Sequence, residues 1–383
     1  MMRFAPFAGL ALAAVLLAAC APAVPRAAAP PAESSAAADP SSPPPSSSEA
    51  LATPSRDAAA PAAAFALNAA PRVVTEKLVA PWSIAFHGDS ALVSERDTAR
   101  ILEVQRDGDV REAALIPGVL HEGEGGLLGL AVREGFLYVY STGSGENRIE
   151  RYPMTGEPGA LGVGQPEKIL DGIPASHNHN GGRIAFGPDG MLYATAGDAG
   201  EGGLARDLGS LGGKILRMTP DGEVPEDNPF PGSLVYSYGH RNPQGIAWAD
   251  DGTMYASEFG QETWDELNVI TPGGDYGWDE EEGIAERDGM IDPILQWPPS
   301  EASPSGIAIV GGTLYMANLR GARLRAVPLA DPDAAVDHLV SEVGRIRDVA
   351  LAPDGDLWIL TNNTDGRGAA GEDDDRILAF APE

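Results

Sequence analysis

Residues 176–200 read SHNHNGGRIAFGPDGMLYATAGDAG and place two of the six histidines, His177 and His179, one residue apart before a glycine pair and an arginine. A loop imidazole serves as a proton acceptor, a metal ligand or a satisfied polar group. On an extended segment the two rings would project to the same side, which suits a shared zinc ion. Cys20 is the only cysteine, however, and no further histidine clusters with the pair to complete such a site. Four arginines, Arg241, Arg320, Arg345 and Arg347, fall on comparable loops: GHRNPQG (239–245), NLRGARLR (318–325) and GRIRD (344–348). The chain carries a formal charge of −30. Guanidinium groups gathered at one mouth of so acidic a protein suit an anionic ligand with carboxylates or phosphates, which the arginine fork matches bidentately; pairing with local Asp and Glu is the alternative.

Those loops join copies of one phrase. WSIAFHGDSALVSERDTARILEV (82–104) sets an apolar run, a polar turn and a second apolar run, then continues through another turn into a third. The hairpin at its start returns in GLAVREGFLYVYST (129–142), GRIAFGPDGMLYATAG (182–197), QGIAWADDGTMYASEFG (244–260), SGIAIVGGTLYMANLRGARLRAV (305–327) and IRDVALAPDGDLWILTNN (346–363). Period-two alternation bounded by Gly, Asp and Pro is the mark of a strand hairpin. Six copies about 40 to 60 residues apart predict an all-β fold, a six-bladed β-propeller of four-stranded antiparallel blades. A sandwich or a two-domain β arrangement fits the spacing less well. Loops leaving the inner strands of a propeller converge on one face, so residues far apart in sequence meet there.

The N-terminus carries a different message. Arg3 precedes an apolar run at residues 7–17 that is too short to span a membrane, and LAAC ends at Cys20. LAAC resembles the bacterial lipobox, which implies cleavage before Cys20 and lipidation of its thiol; an ordinary secretory signal is the alternative. Either way the mature protein is expected to be exported to the cell envelope, with membrane contact only through a lipid anchor. Residues 21–70 are almost all Ala, Pro and Ser, which bury too little apolar surface to offset chain entropy, so a disordered tether is expected there and the propeller over 71–383. The negative charge excludes ordinary nucleic-acid binding.

Five segments, GEGGLLGLAV, GGRIAFGPDGMLYATAGDAG, GGKILRMTPDGEVPEDNPF, YGHRNPQGIAW and DELNVITPGGDYGW, resemble the soluble quinoprotein glucose/sorbosone dehydrogenase family, from about residue 72 to the C-terminus. The resemblance implies a six-bladed propeller that oxidises aldose sugars at C1 to lactones, with pyrroloquinoline quinone (PQQ) and Ca²⁺ as cofactors. It implies that His179 is the general base and that Asp198 holds it in one tautomer. A neutral imidazole, whose ordinary pKa is about 6.5, suits proton removal while hydride leaves for the quinone. Arg241 would stabilise negative charge on the quinone oxygen. Asn242, Arg320, Arg345 and Arg347 would bind the cofactor. Glu124 and Asn178 fall on substrate positions where the glucose enzymes carry glutamine and aspartate, so they bear on which sugar is preferred. The loop at Gly260 and Gln261 matches the carbonyl seat of one calcium, although Gln261 and Phe259 depart from the pattern; Glu266 and the carbonyl of Tyr276 match a second. Trp264 and Trp297 are available to stack on a ring ligand or to pack. The electron acceptor would be a quinone or a cytochrome. Two further readings remain at this stage: an extracellular propeller that binds without oxidising, and a propeller lactonase, whose central divalent ion the arginines would repel.

Overall fold

Among the residues that the computed structural model describes, 65–383, strand dominates; the helical content is two short 3₁₀ turns, Gly202–Leu204 and Pro332–Ala334. The expected leader ending at Cys20 and the expected tether at 21–70, as far as residue 64, lie outside the described residues. Six antiparallel sheets follow one another along the chain. Their inner strands are Pro81–His87, Leu127–Arg133, Ile184–Phe186, Asn242–Trp248, Pro304–Val310 and Ile346–Leu351, numbered here as blades 1 to 6. Each inner strand neighbours the next and the sixth neighbours the first, so the ring closes. This is the six-bladed propeller that the repeats predict. Blade 2 departs from four strands by one short addition, Gly162–Val163, paired to Glu146–Thr155.

The repeated turns hold because their residues supply what the backbone needs. In GPDG (187–190), ADDG (249–252) and APDG (352–355) the glycine sits at φ +79°, +87° and +91°, where a Cβ would be strained. The aspartate before it caps the turn, accepting the N–H of Met191, Thr253 or Asp356 at 3.1, 2.9 and 3.3 Å. The second strand of each hairpin lies between two neighbouring blades. Ser90–Glu95, Leu192–Ala196 and Leu357–Thr361 are buried throughout, whereas the outer strand Val110–Leu115 is only partly covered. One apolar cluster fills each gap between blades. Edge-on aromatic pairs recur across those gaps: Phe86 on Trp358 at 5.3 Å, Tyr138 on Phe186 at 5.0 Å and Tyr193 on Trp248 at 5.0 Å.

Closure uses the start of the folded chain. Arg72–Thr75 supplies the outer strand of blade 6, pairing Arg72 with Ala379 and Val73 with Leu378. The packed region begins before the expected boundary at residue 71. Phe65 and Leu67 are buried, and Phe65 meets Tyr315 edge-on at 5.5 Å in the gap between blades 5 and 6. Burying a phenylalanine contributes about 2–3 kcal/mol relative to leaving it in water, enough to hold this segment to the ring.

The feature that builds the functional face is a β-bulge near the start of five inner strands. Pairing skips Trp82 in blade 1, Gln244 in blade 4 and Arg347 in blade 6. A bulge breaks the two-residue alternation and re-aims a side chain. Here the skipped residues point into the central hollow.

Candidate active site

Two open cavities adjoin on the loop face of the ring. The first, about 380 Å³, is lined by five arginines, Arg96, Arg320, Arg345, Arg347 and Arg367, with Trp82, Gln244 and Glu124 among them. The second, about 480 Å³, is lined by His179 and Asp198 with the acids Asp279, Glu280, Glu281 and Glu282. One face of the ring therefore divides into a cationic hollow and an acidic one. Glu124 lines the first and bonds to His179 of the second.

His179 has φ +56°, which for a residue with a Cβ costs about 1–2 kcal/mol. This left-handed turn departs from the extended segment on which His177 and His179 would share a side. His177 is exposed, and among the described residues it and His179 belong to no group of three His, Cys, Asp or Glu side chains that could hold a metal. Neighbours hold the turn in place: Glu124 accepts the His179 N–H at 2.9 Å, and the His179 carbonyl accepts the Ala199 N–H at 3.1 Å. Gly197 packs so closely that a Cβ there would collide with that carbonyl.

The imidazole Nδ1 lies 2.7 Å from Asp198 Oδ1. Asp198 is 1 % exposed and also accepts the Gly200 N–H and the Trp278 indole N–H, each at 2.7 Å. Burial pushes its carboxyl up, but the bonds from His179, Gly200 and Trp278 outweigh burial and hold it below the ordinary carboxylate range. An ionised Asp198 accepts only, so Nδ1 carries the proton and Nε2 the lone pair. Nε2 takes a hydrogen bond from Asn178 Nδ2 at 3.1 Å, which places Asn178 at the reactive edge of the ring.

Arg241 backs this pair. Its carbonyl accepts the Asp198 N–H at 2.8 Å, and its guanidinium lies 5.4 Å from the centre of the Trp278 ring. Burial pushes the guanidinium pKa below its usual value, with Asp198 and Glu124 opposing, and its Nε–H has no partner. Asn242 is fully buried: Oδ1 accepts the Gly181 N–H at 3.0 Å and Nδ2 points to Glu124 at 3.4 Å. It lines neither cavity, so it braces the loops around His179.

In the cationic hollow, Arg345 pairs with Asp365 at 2.8 Å, while Arg347 reaches Gln244 at 2.8 Å and Asn362 at 3.2 Å. Burial pushes Arg347 down to about 9, and Arg96 and Arg345 push the same way while Asp365 resists. The Nε–H groups of both Arg345 and Arg347 are buried without partners. An anion supplies what they lack. Arg320 stands exposed on the rim, with no ion pair among the described residues. Below them Trp82 lies under both Arg347 (5.7 Å) and Arg183 (4.4 Å), and Arg183 pairs with Asp348 at 3.0 Å to seal the axis.

The calcium positions fare unequally. The Gly260 carbonyl already accepts the Arg241 guanidinium, and Gln261 is exposed with its N–H on Glu282 at 2.6 Å. This arrangement does not fit a calcium ion at Gly260. Glu266 is buried, with its oxygens taken by the Gly283 N–H (2.7 Å) and Asn268 (3.0 Å). Burial pushes its pKa up to about 8, with Glu258 adding to the rise. Glu266, Glu258, Tyr276 and Glu282 border a space of about 10 Å³, the size of one water, which Gly260 and the cationic Arg241 also line.

Of the two readings open for Trp264 and Trp297, the structure takes packing. Trp297 packs on Arg325 at 4.3 Å and Trp264 against Gly283, and neither lines a site cavity. The rings at the site are Trp82 and Trp278. Arg96, Arg367, Trp82 and Gln244 also escaped the sequence reading. Only Trp278, inside the quoted DELN…GGDYGW segment, carried a usable signal.

The glucose/sorbosone dehydrogenase family model matches residues 78–370. The PQQ-bound form of aldose sugar dehydrogenase from Streptomyces coelicolor is 50% identical with a TM-score of 0.79, covering 82% of this chain and 97% of that one. An aldose sugar dehydrogenase of Escherichia coli (strain K12) is 30% identical, over 77% of this chain and 90% of that protein. Quinoprotein glucose dehydrogenase B of Acinetobacter calcoaceticus is 32% identical over 57% of this chain, and the match spans only 54% of that relative's length.

Proposed function

The chain belongs to the glucose/sorbosone dehydrogenase family, and on that premise we propose that it oxidises an aldose at the C1 hydroxyl to the lactone, using PQQ. The observation that carries this reading is the divided face, a hollow of arginines beside a hollow of carboxylates, with the His179–Asp198 pair where they adjoin. The cationic side suits an anionic cofactor, and the unpartnered buried Nε–H groups of Arg345 and Arg347, both of which line it, fit one. The acidic side suits a neutral polyol, whose hydroxyls donate to carboxylates. Arg320, Arg345 and Arg347 hold the cofactor's carboxylates. Bound there, the quinone supplies the two-electron acceptor.

The chain's own residues supply the rest. Asn178 yields Nε2 of His179 to the C1 hydroxyl, and Nε2 takes its proton. Asp198 keeps Nδ1 protonated and offsets the charge of the imidazolium that forms. Arg241, with its free Nε–H, stabilises negative charge developing beside it. Calcium enters this reading at Glu266 and the carbonyl of Tyr276, where a divalent ion would relieve the burden of a buried carboxylate; no step passes through it. We also read the mature chain as exported and lipidated at Cys20, on the pattern of residues 3–20; mass spectrometry of the mature N-terminus reads that directly.

The test is reconstitution of purified apoprotein with PQQ and calcium, followed by reduction of an artificial electron acceptor across a panel of aldoses. Aldose-dependent turnover is expected. Cofactor at about a hundredfold over Kd stabilises the fold by about 2.7 kcal/mol, which calorimetry reads as a rise of several degrees in Tm. Neither turnover nor a Tm shift would favour a propeller that binds something else.

A further inference from the structure

We propose that Glu124 is a positioning residue for His179, latched by Arg367 from blade 6, and that it acts through the backbone of the base and not as a contact to the sugar. This deepens the sugar-oxidation reading and rests on it for its kinetic consequences. Glu124 brackets the strained segment at two points. Its own N–H donates to the His177 carbonyl at 2.8 Å, and its Oε2 accepts the His179 N–H at 2.9 Å. Between those points the chain makes the left-handed turn at His179. Gly123, at φ +60°, lets this happen, because a Cβ there would strike the His177 carbonyl. The other oxygen, Oε1, accepts Arg367 Nη1 at 2.9 Å across 243 residues of sequence. Asn242 Nδ2 approaches Oε2 at 3.4 Å. Most acceptor capacity of this carboxylate is thus spent on protein donors. Arg367 is also what makes an acid tolerable beside the arginine hollow meant for an anion: burial pushes Glu124 up, and Arg367 with the His179 N–H brings it below its usual range.

The consequence follows from geometry. Without an acceptor at Oε2 the turn keeps only the Ala199 bond to the His179 carbonyl, and Nδ1 of His179 is free to swing away from Asp198. A displacement on the order of 1 Å at a reacting group costs about 10²-fold in rate. An amide keeps one carbonyl oxygen for the His179 N–H and preserves the turn. A sugar contact would behave differently, since its loss raises KM in the leucine variant.

Three variants are compared with wild type: Glu124→Leu, Glu124→Gln and Arg367→Gln. The first readout is the low-field proton resonance of the His179 Nδ1–H in cofactor-free protein, which needs no activity; the second is the split between kcat and KM after PQQ loading. In Glu124→Leu the resonance is expected to vanish and kcat to fall about 10²-fold, with KM for the aldose little changed. Glu124→Gln keeps an acceptor for the His179 N–H but loses the carboxylate that Arg367 grips, so it is expected to keep the resonance and to fall only several-fold in kcat, as Arg367→Gln does. If the leucine variant does not fold, Arg367→Gln carries the test: the resonance broadens and kcat drops several-fold at constant KM. An intact resonance in both Glu124→Leu and Arg367→Gln, or a raised KM with unchanged kcat in Glu124→Leu, overturns the assignment. Absence of sugar oxidation in wild type removes the kinetic arm alone, because the resonance still reports on the latch.

Discussion

Exchange of His179 for glutamine is expected to lower kcat by about 10²- to 10⁴-fold, the usual contribution of a positioned general base, while cofactor affinity stays near wild type. The two effects separate because His179 lines the acidic hollow and the cofactor's proposed partners line the other. Glutamine keeps much of the ring's volume and can still donate to Asp198, so the 2.7 Å bond has a substitute. What it lacks is a basic nitrogen at the position of Nε2. The loss therefore belongs in kcat under saturating sugar, read with PQQ-loaded protein, and cofactor titration supplies the control. An unchanged rate would remove His179 from its role. Asp198 does not complicate the pH profile. Its folded pKa lies below the ordinary carboxylate value of about 3.9, so the stability it lends is complete above that value and is lost only as pH falls through the lower folded one. It remains ionised throughout the range in which activity would be measured.

The second large effect is on binding. Arg347→Met is expected to weaken PQQ binding by about 10²-fold or more, since removing one member of a buried charged pair costs about 2–5 kcal/mol. The guanidinium is buried beside Arg96 and Arg345, and burial together with those charges already disfavours its charged form. The empty protein carries this burden without an anion to relieve it. The same substitution should therefore leave the Tm of cofactor-free protein unchanged or raise it, while abolishing the rise that PQQ produces. Calorimetry with and without cofactor reads both. A variant with lowered apo stability and intact affinity would mean that Arg347 serves only its bonds to Gln244 and Asn362.

Much of the architecture was legible because a propeller repeats. The GPDG, ADDG and APDG turns put an Asp and a Gly where capping and positive φ demand them, and six such hairpins identify a ring. The tie between His179 and Asp198 could be anticipated through the family motif, as could arginines at the strand starts. Side-chain direction could not. A two-residue period projects Arg345 and Arg347 to one side, but the bulge at Arg347 sends it to Gln244 and the axis while Arg345 pairs with Asp365. Trp82 and Gln244 occupy the same kind of bulge in their own blades and were missed for the same reason. Arg367 and Asp365 sit in a loop, TDGRGAAGEDDD, that no repeat describes, so only folding shows that it reaches Glu124. At Gly260 the backbone position that the resemblance gives to calcium is engaged by a guanidinium from its own blade. The burial of Phe65 and Leu67, ahead of residue 71, was hidden by the Ala/Pro composition around them.

Sugar oxidation at this face requires that electrons leave the sugar for one bound quinone while its proton goes to the imidazole between the two hollows. The direct measurement is anaerobic: PQQ-loaded protein is mixed with an excess of aldose and the cofactor's absorbance is followed through a single turnover. The account predicts reduction of the cofactor with one equivalent of lactone formed per site, and slowing of that step by about 10²-fold or more in His179→Gln. A loaded protein whose spectrum no aldose changes, or whose rate of reduction is indifferent to His179, would contradict it.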